Sequence, residues 1–260
     1  MSLTYANYLK VEQLLSLQEP RSEPAEHDET LFIIIHQVYE LWFKQILHEI
    51  DRVKEQFAAN DLFGAIATLK RIRMVLKTAV AMVDILETLT PLSFASFRDR
   101  LETASGFQSC QFRELEFVLG YKRPELLVHQ PEGTDARARM ERRLRGPTVV
   151  DRFYDLLEHQ GATIPPELRQ KEPAAANRES PALQEEILRL YKERGELAIL
   201  IETMTDVDEG LQEWRYRHVK VAERTIGSKK GTGGSSGVEF LKRALFKPVF
   251  PDLWAIRSSF

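Results

Sequence analysis

A single cysteine, Cys110, stands among the 260 residues of this chain, which excludes an intrachain disulfide framework and fits a reducing compartment. Compact metal-binding signatures are lacking as well. There is no HExxH and no CxxC, and the six histidines are scattered. No window approaches the roughly 20 consecutive apolar residues of a membrane span. The opening stretch, MSLTYANYLKVEQLL, has no basic region followed by a long apolar core, so no secretory signal is read there. A net charge of −3 argues against nucleic-acid partners, which require a basic face. Runs of alternating strand pattern and internal repeats are missing too. What these absences leave is a cytoplasmic protein with neither membrane nor nucleic acid as partner.

The hydrophobic share of 43% is enough for a real core, and its spacing is helical. Thr30 to Phe43, TLFIIIHQVYELWF, is nearly all apolar around one histidine. A helix through it carries Leu31, Ile35, Val38 and Trp42 on one stripe and Phe32, His36, Tyr39 and Phe43 on another. So wide an apolar face predicts an interior helix, running from about His27 to Phe57. A second long helix is expected over about Asp61 to Leu89, interrupted by Thr90-Pro91. Shorter helices follow in PLSFASFRDRL and in FQSCQFRELEFVLG, with Gly120 as a C-cap. Residues 121–180 are polar and proline-broken, with modest helix signals near 135–145 and 148–159 and a loop at KEPAAANRESP. Long helices are expected over 181–203 and 205–226, then a glycine-rich segment and a last helix in FLKRALF. A short amphipathic helix, LTYANYLKVEQLLSLQ, opens the chain with Tyr5 and Tyr8 on one face. The fold class is all-α, read as one domain over residues 1–260.

Buried charge is costly, so His36 on its apolar stripe is expected to be neutral, and either hydrogen-bonded or facing a cavity. His218 repeats the pattern, on a stripe with Leu211, Trp214 and Ala222. Two inward imidazoles on long helices suit haem ligation, although ordinary core histidines have the same spacing. Phe94 and Arg98 share a helix face at i, i+4, a pairing able to hold a carboxylate beside an apolar group. The bland alternative is a surface arginine paired with Asp99 or Glu102. GTGGSSG at 231–237 lacks the Lys-Ser/Thr of a phosphate loop and follows a helix, not a strand. It is either a passive connector or a loop that closes over substrate with Thr232, Ser235 and Ser236. Cys110 is expected to be a small core residue.

Taken together, LTYANYL, HDETLFIIIHQVYELWFKQILHE, FRDRL with SGFQSCQFRELE, and WRYRHVKVAERTIGSKKGTGGSSGVEFL resemble the tryptophan 2,3-dioxygenase family in order and spacing. The likeness covers almost the whole chain. It implies a mostly helical b-type haem enzyme, a homotetramer built as a dimer of dimers, that cleaves the indole 2,3 bond of L-tryptophan with dioxygen to give N-formylkynurenine. By position, His218 matches the iron ligand and His36 the distal histidine near the indole N–H. Phe32 and Phe94 would pack on the indole, Arg98 would hold the substrate carboxylate, and Thr232 the ammonium and carboxylate end. Leu101, Ser105 and Gly106 would line the pocket. Tyr5 and Tyr8 match tyrosines supplied by a neighbouring subunit, through an N-terminal segment of residues 1–26.

There are departures from the family pattern. Cys110 stands where an aliphatic residue is expected, HDET replaces the more usual HDEM, and the 160–180 region is short. Two other functions share the same residues: single-oxygen insertion into a modified tryptophan, and haem binding without turnover.

Overall fold

The computed structural model describes residues 2–260, and helices make up all of its regular structure, with no strand among the described residues. In chain order they are α1 (Tyr5–Leu9), α2 (Val11–Leu15), α3 (His27–Ala58), α4 (Leu62–Leu86), α5 (Pro91–Arg98), α6 (Cys110–Leu119), α7 (Asp135–Arg145), α8 (Val149–His159), α9 (Pro166–Arg169), α10 (Pro181–Glu193), α11 (Gly195–Ile226), α12 (Val238–Lys242) and α13 (Pro251–Ala255). Short 3₁₀ turns at Asp99–Leu101, Gly106–Gln108, Pro124–His129 and Ile256–Ser259 complete the set. Among the described residues no single helix is long and apolar enough to cross a membrane.

The boundaries follow from local chemistry. Asp61 caps α4 by accepting a hydrogen bond from Gly64 N at 2.9 Å, and only glycine leaves room there for the Asp61 carboxylate. Thr90 caps α5 by accepting from Ser93 N at 3.1 Å, and Pro91 follows at the first helical position, where its missing N–H costs nothing. Gly120 ends α6 with φ +103°, as expected of a glycine C-cap. Asn177 packs against it, donating its backbone N–H to Gly120 O at 3.0 Å, which leaves no space for a Cβ.

Three long helices dominate. α4 packs along both α3 and α11, which also meet each other through the rings of Tyr39, Phe43 and Trp214. The seam of α3 runs through Ile35, Tyr39, Phe43, Ile46, Ile50, Val53 and Phe57, and α11 answers with Leu200, Ile201, Met204, Val207 and Leu211. Each such side chain, fully buried, contributes about 1.5–3 kcal/mol.

Three expectations need correction. The first concerns α11, which is one 32-residue helix beginning at Gly195, so the break falls at Arg194 rather than at residue 204. Arg194 is extended (φ −134°, ψ 104°), while Thr205 stays helical and bonds Ile201 O through its hydroxyl at 2.9 Å. Nor is α3 apolar-buried all round: Ile34 is 43% and Leu41 51% exposed, and the core seam mixes residues of both expected stripes. Finally, the N-terminal helix is two five-residue pieces split at Lys10, which adopts a left-handed conformation (φ 56°), and neither piece buries a residue.

The C-terminal segment is tied to α11 by Asp208, whose side chain is fully enclosed. Its Oδ2 accepts from Val249 N and Phe250 N at 2.9 Å and from Trp254 Nε1 at 3.0 Å. Removing it strands these three donors and Gln212 Nε2, which donates to Oδ1 at 3.1 Å, and the two buried backbone amides alone cost about 1–3 kcal/mol each. Asp208→Ala is therefore expected to lower stability by at least ~3 kcal/mol in a urea titration. A change below ~1 kcal/mol would show that the tail is held by other contacts.

Candidate active site

α3 and α11 both pack on α4, and a cavity lies between their facing sides. It has two adjoining lobes of about 180 and 100 Å³, which share His36, Leu86, Gly106, Phe107, His218, Val221 and Leu241 in their walls. α3 contributes Phe32 and His36, and α11 contributes Trp214, His218, Val221 and Ala222 from the opposite side. α5 and the turns after it bring Phe94, Arg98, Leu101, Ser105 and Gly106. The glycine-rich segment closes the mouth through Gly231, Thr232, Ser235 and Gly237.

On the α3 side, the Phe32 ring lies 4.2 Å from that of His36 and 5.6 Å from that of Phe94. His36 Nδ1 is 2.7 Å from Phe32 O. A carbonyl only accepts, so Nδ1 carries the proton and donates it there. Burial lowers the His36 pKa, against the pull of that hydrogen bond and of the Glu40 carboxylate. A neutral ring protonated at Nδ1 leaves Nε2 as a hydrogen-bond acceptor.

On the α11 side, Trp214 stacks on His218 at 5.1 Å with the ring planes only 10° apart. His218 is enclosed by protein, yet part of its surface is open, because that surface faces the cavity. Burial, with the charges of His36 and Arg113 adding to it, pushes its pKa down to about 4. The ring is neutral at pH 7 and keeps a free lone pair, the state a metal ligand requires.

At the mouth, Arg98 makes no ion pair among the described residues. Its Nη2 donates to Lys230 O at 2.8 Å, and its Nε is buried without a partner. The pairing with Asp99 or Glu102 is absent. Thr232 Oγ1 donates to Ala104 O at 2.5 Å, which pins the glycine-rich segment to the loop after α5. Gly233 lies so close to Ser105 that an added Cβ would come within 2.8 Å of the Ser105 Cβ, and Gly237 holds φ +63°. These two positions need glycine for close approach and for left-handed backbone respectively.

The structure thus brings together His36, His218, Phe32, Phe94, Arg98, Leu101, Ser105, Gly106 and Thr232 around one cavity. It leaves Tyr5 and Tyr8 outside, 78% and 70% exposed. Cys110 lies off the cavity, half-buried at the start of α6. Its thiol donates to Ala136 O at 3.2 Å and has its pKa pushed up to about 11 by burial and the Glu114 carboxylate. Phe107, Phe240, Arg113 and Val221 also line the cavity and were not singled out from sequence. Trp214 lay on the His218 stripe, and the i−4 spacing was the available signal for its stacking.

Residues 1–166 and 180–260 match the family described as tryptophan 2,3-dioxygenase. The chain belongs to that family. Proteins named tryptophan 2,3-dioxygenase from Herpetosiphon aurantiacus and Anaeromyxobacter sp. (strain K) are 53% and 50% identical to it, over 99% of this chain in both cases and 98% and 96% of theirs. One from Bacillus thuringiensis subsp. konkukian is 39% identical over 99% of this chain and 92% of its own length. The stretch outside the family match begins at α9 and runs through the proline-containing loop before α10, away from the cavity.

The fit between Gly233 and Ser105 gives a direct test of the closed mouth. Gly233→Ala is expected to lift the 228–237 segment and make it cleaved at least several-fold faster in limited proteolysis, with the thermal midpoint little changed. Equal cleavage rates would mean that the segment is not held by this contact.

Proposed function

We propose that this chain is a haem-dependent dioxygenase that cleaves the indole 2,3 bond of L-tryptophan with dioxygen to give N-formylkynurenine. The observation that carries the proposal is the pair of imidazoles, His36 and His218, facing one apolar cavity with the Arg98 guanidinium at its mouth. The residues fit haem, here taken as haem b: His218 offers an unprotonated nitrogen to iron, and Phe43, Val83, Leu86, Phe112 and Val221 supply apolar surface for a porphyrin. When bound, haem supplies the iron at which dioxygen is activated.

The chain's own residues bind and orient the substrate. An amino-acid zwitterion needs a fixed cation at one end and an apolar slot at the other. Arg98 provides the cation, with its Nε uncommitted, and the hydroxyl of Thr232 reaches the same end. Phe32 and Phe94 provide an aromatic wall for the indole, and Leu101, Ser105 and Gly106 close the slot. His36 Nε2, left as an acceptor by the Nδ1–H donation to Phe32 O, suits the indole N–H. The role follows from the tautomer: His36 holds the indole in register without first needing to lose a proton. The glycine-rich segment excludes water once substrate is inside.

The N-terminal segment completes the reading. Leu3, Tyr5, Tyr8 and Leu15 are 68–78% exposed, and α1 and α2 bury nothing within the chain. An apolar arm of this kind is covered by a second copy, so that Tyr5 and Tyr8 reach the neighbour's pocket in a homotetramer arranged as a dimer of dimers. The compartment is the cytoplasm.

The test is anaerobic reduction of the haem-loaded protein with tryptophan, then admission of oxygen, following the haem spectrum and the product. Oxygen-dependent formation of N-formylkynurenine is expected, and persistence of tryptophan overturns the assignment. Arg98→Ala is expected to raise the tryptophan KM roughly ten- to hundredfold, from loss of a charged hydrogen bond of ~1.5–3 kcal/mol, with haem binding intact. An unchanged KM would remove Arg98 from the site.

A further inference from the structure

Behind the wall of the cavity lies a buried surplus of positive charge. Glu116 is 1% exposed and is shared by three arginines. Arg113 Nη1 and Arg123 Nη2 each donate to its Oε2 at 2.5 Å, and Arg215 Nη2 donates to its Oε1 at 3.2 Å. Arg215 also donates to Lys247 O at 2.9 Å. Neither Arg113, Arg123 nor Arg215 has any other acidic partner among the described residues, so one carboxylate faces three guanidinium groups. The Nε atoms of all three are buried and unpartnered. Arg113 and Arg215 are only 6% and 4% exposed, so water does little to offset the imbalance. Aromatic faces do part of it: Arg123 and Arg215 lie 4.7 and 5.4 Å from the Tyr121 ring, and Arg113 lies 5.2 Å from that of Phe112. A buried cation surplus of this kind is expensive unless an anion joins it.

Only Arg113 of the three opens onto the cavity, where it lines the same lobe as His36 and His218. Gly106, Phe107 and Ser109 line that lobe too, so the N-terminal turn of α6 faces it with its positive dipole end. The one acidic side chain there, Glu40, is held on the α3 side by Gln111, whose amide donates to its carboxylate and to its backbone carbonyl, both at 2.8 Å. We infer that Arg113, backed by Arg123, Arg215 and the first turn of α6, is the counter-ion for a carboxylate carried by the cofactor in this cavity. On the haem reading above, on which this rests, that carboxylate is a propionate at the porphyrin edge. Glu116 is then a positioning residue that gathers the arginines and leaves net positive charge for the incoming anion.

The test compares ferric haem with its dimethyl ester, in which both propionates are masked, by titrating the apoprotein and following the Soret band. The wild-type protein is expected to bind the ester roughly ten- to hundredfold more weakly than haem, the range lost with one charged hydrogen-bonded pair. Arg113→Gln is expected to lose most of that discrimination, and Arg113→Lys, which keeps the charge, to recover part of it. Equal binding of haem and ester by the wild-type protein overturns the proposal while leaving the haem reading standing, and this arm needs no variant to fold. Full discrimination in Arg113→Gln also overturns it. A wild-type protein that takes up neither porphyrin, or whose Soret band is unmoved by His218→Ala, overturns the haem reading and the proposal with it.

Discussion

Everything at the site depends on α4, the helix on which both α3 and α11 pack. Two 32-residue helices with apolar stripes would ordinarily close on each other and fill the space between them with side chains. Here both pack on α4, and beside the rings of Tyr39, Phe43 and Trp214, which meet across the two helices, a cavity remains at His36 and His218. The buried seam of α4, through Ile72, Leu76, Ala79, Val80 and Val83, is therefore what sets the width of the cavity. Tyr39 ties α3 to it by donating its hydroxyl to Ala79 O at 2.8 Å.

Buried polar groups in this protein fall into two kinds, and the difference marks the site. Asp208 and Glu29 are enclosed and fully engaged: Glu29 accepts from Arg21 N at 2.7 Å and from Ser22 N at 2.9 Å, just as Asp208 gathers the C-terminal amides. Such groups hold the chain together. Around the cavity the opposite holds. Arg98 Nε, Trp214 Nε1 and Arg113 Nε are buried without partners, and the two histidines have pKa values lowered by burial. Trp42 Nε1 and Gln56 Oε1 are unpartnered away from the cavity as well, but at the void such polarity is the expense of being ready for a ligand that supplies the missing partners.

Much of this was legible in the sequence, and for a physical reason. A long helix with one buried face writes its period into the chain, so α3, α4, α7 and α8 were placed to within a few residues. The Arg194–Gly195 break was misplaced because the apolar period runs straight across it. At residues 204–205 the chain stays helical, and the Thr205 hydroxyl bonds back to Ile201 O. His36 and His218 could each be marked as stripe histidines, but only topology puts two residues so far apart in the chain on one cavity. The Arg98–Lys230 and Arg215–Glu116 contacts, made across 132 and 99 residues, leave no local trace. For those positions the family resemblance supplied what periodicity was unable to, and it was silent on Arg113. Family membership also favours the dioxygenase over single-oxygen insertion and over haem binding without turnover.

The central claim is that one cavity holds iron on the His218 side and indole on the Phe32–His36 side, so that both atoms of dioxygen reach the same ring bond. Isotopically labelled dioxygen tests it most directly. After turnover of L-tryptophan in unlabelled water, mass spectrometry of the product is expected to show both labelled atoms, with the indole five-membered ring opened. A product carrying one labelled atom on an intact ring would contradict the account.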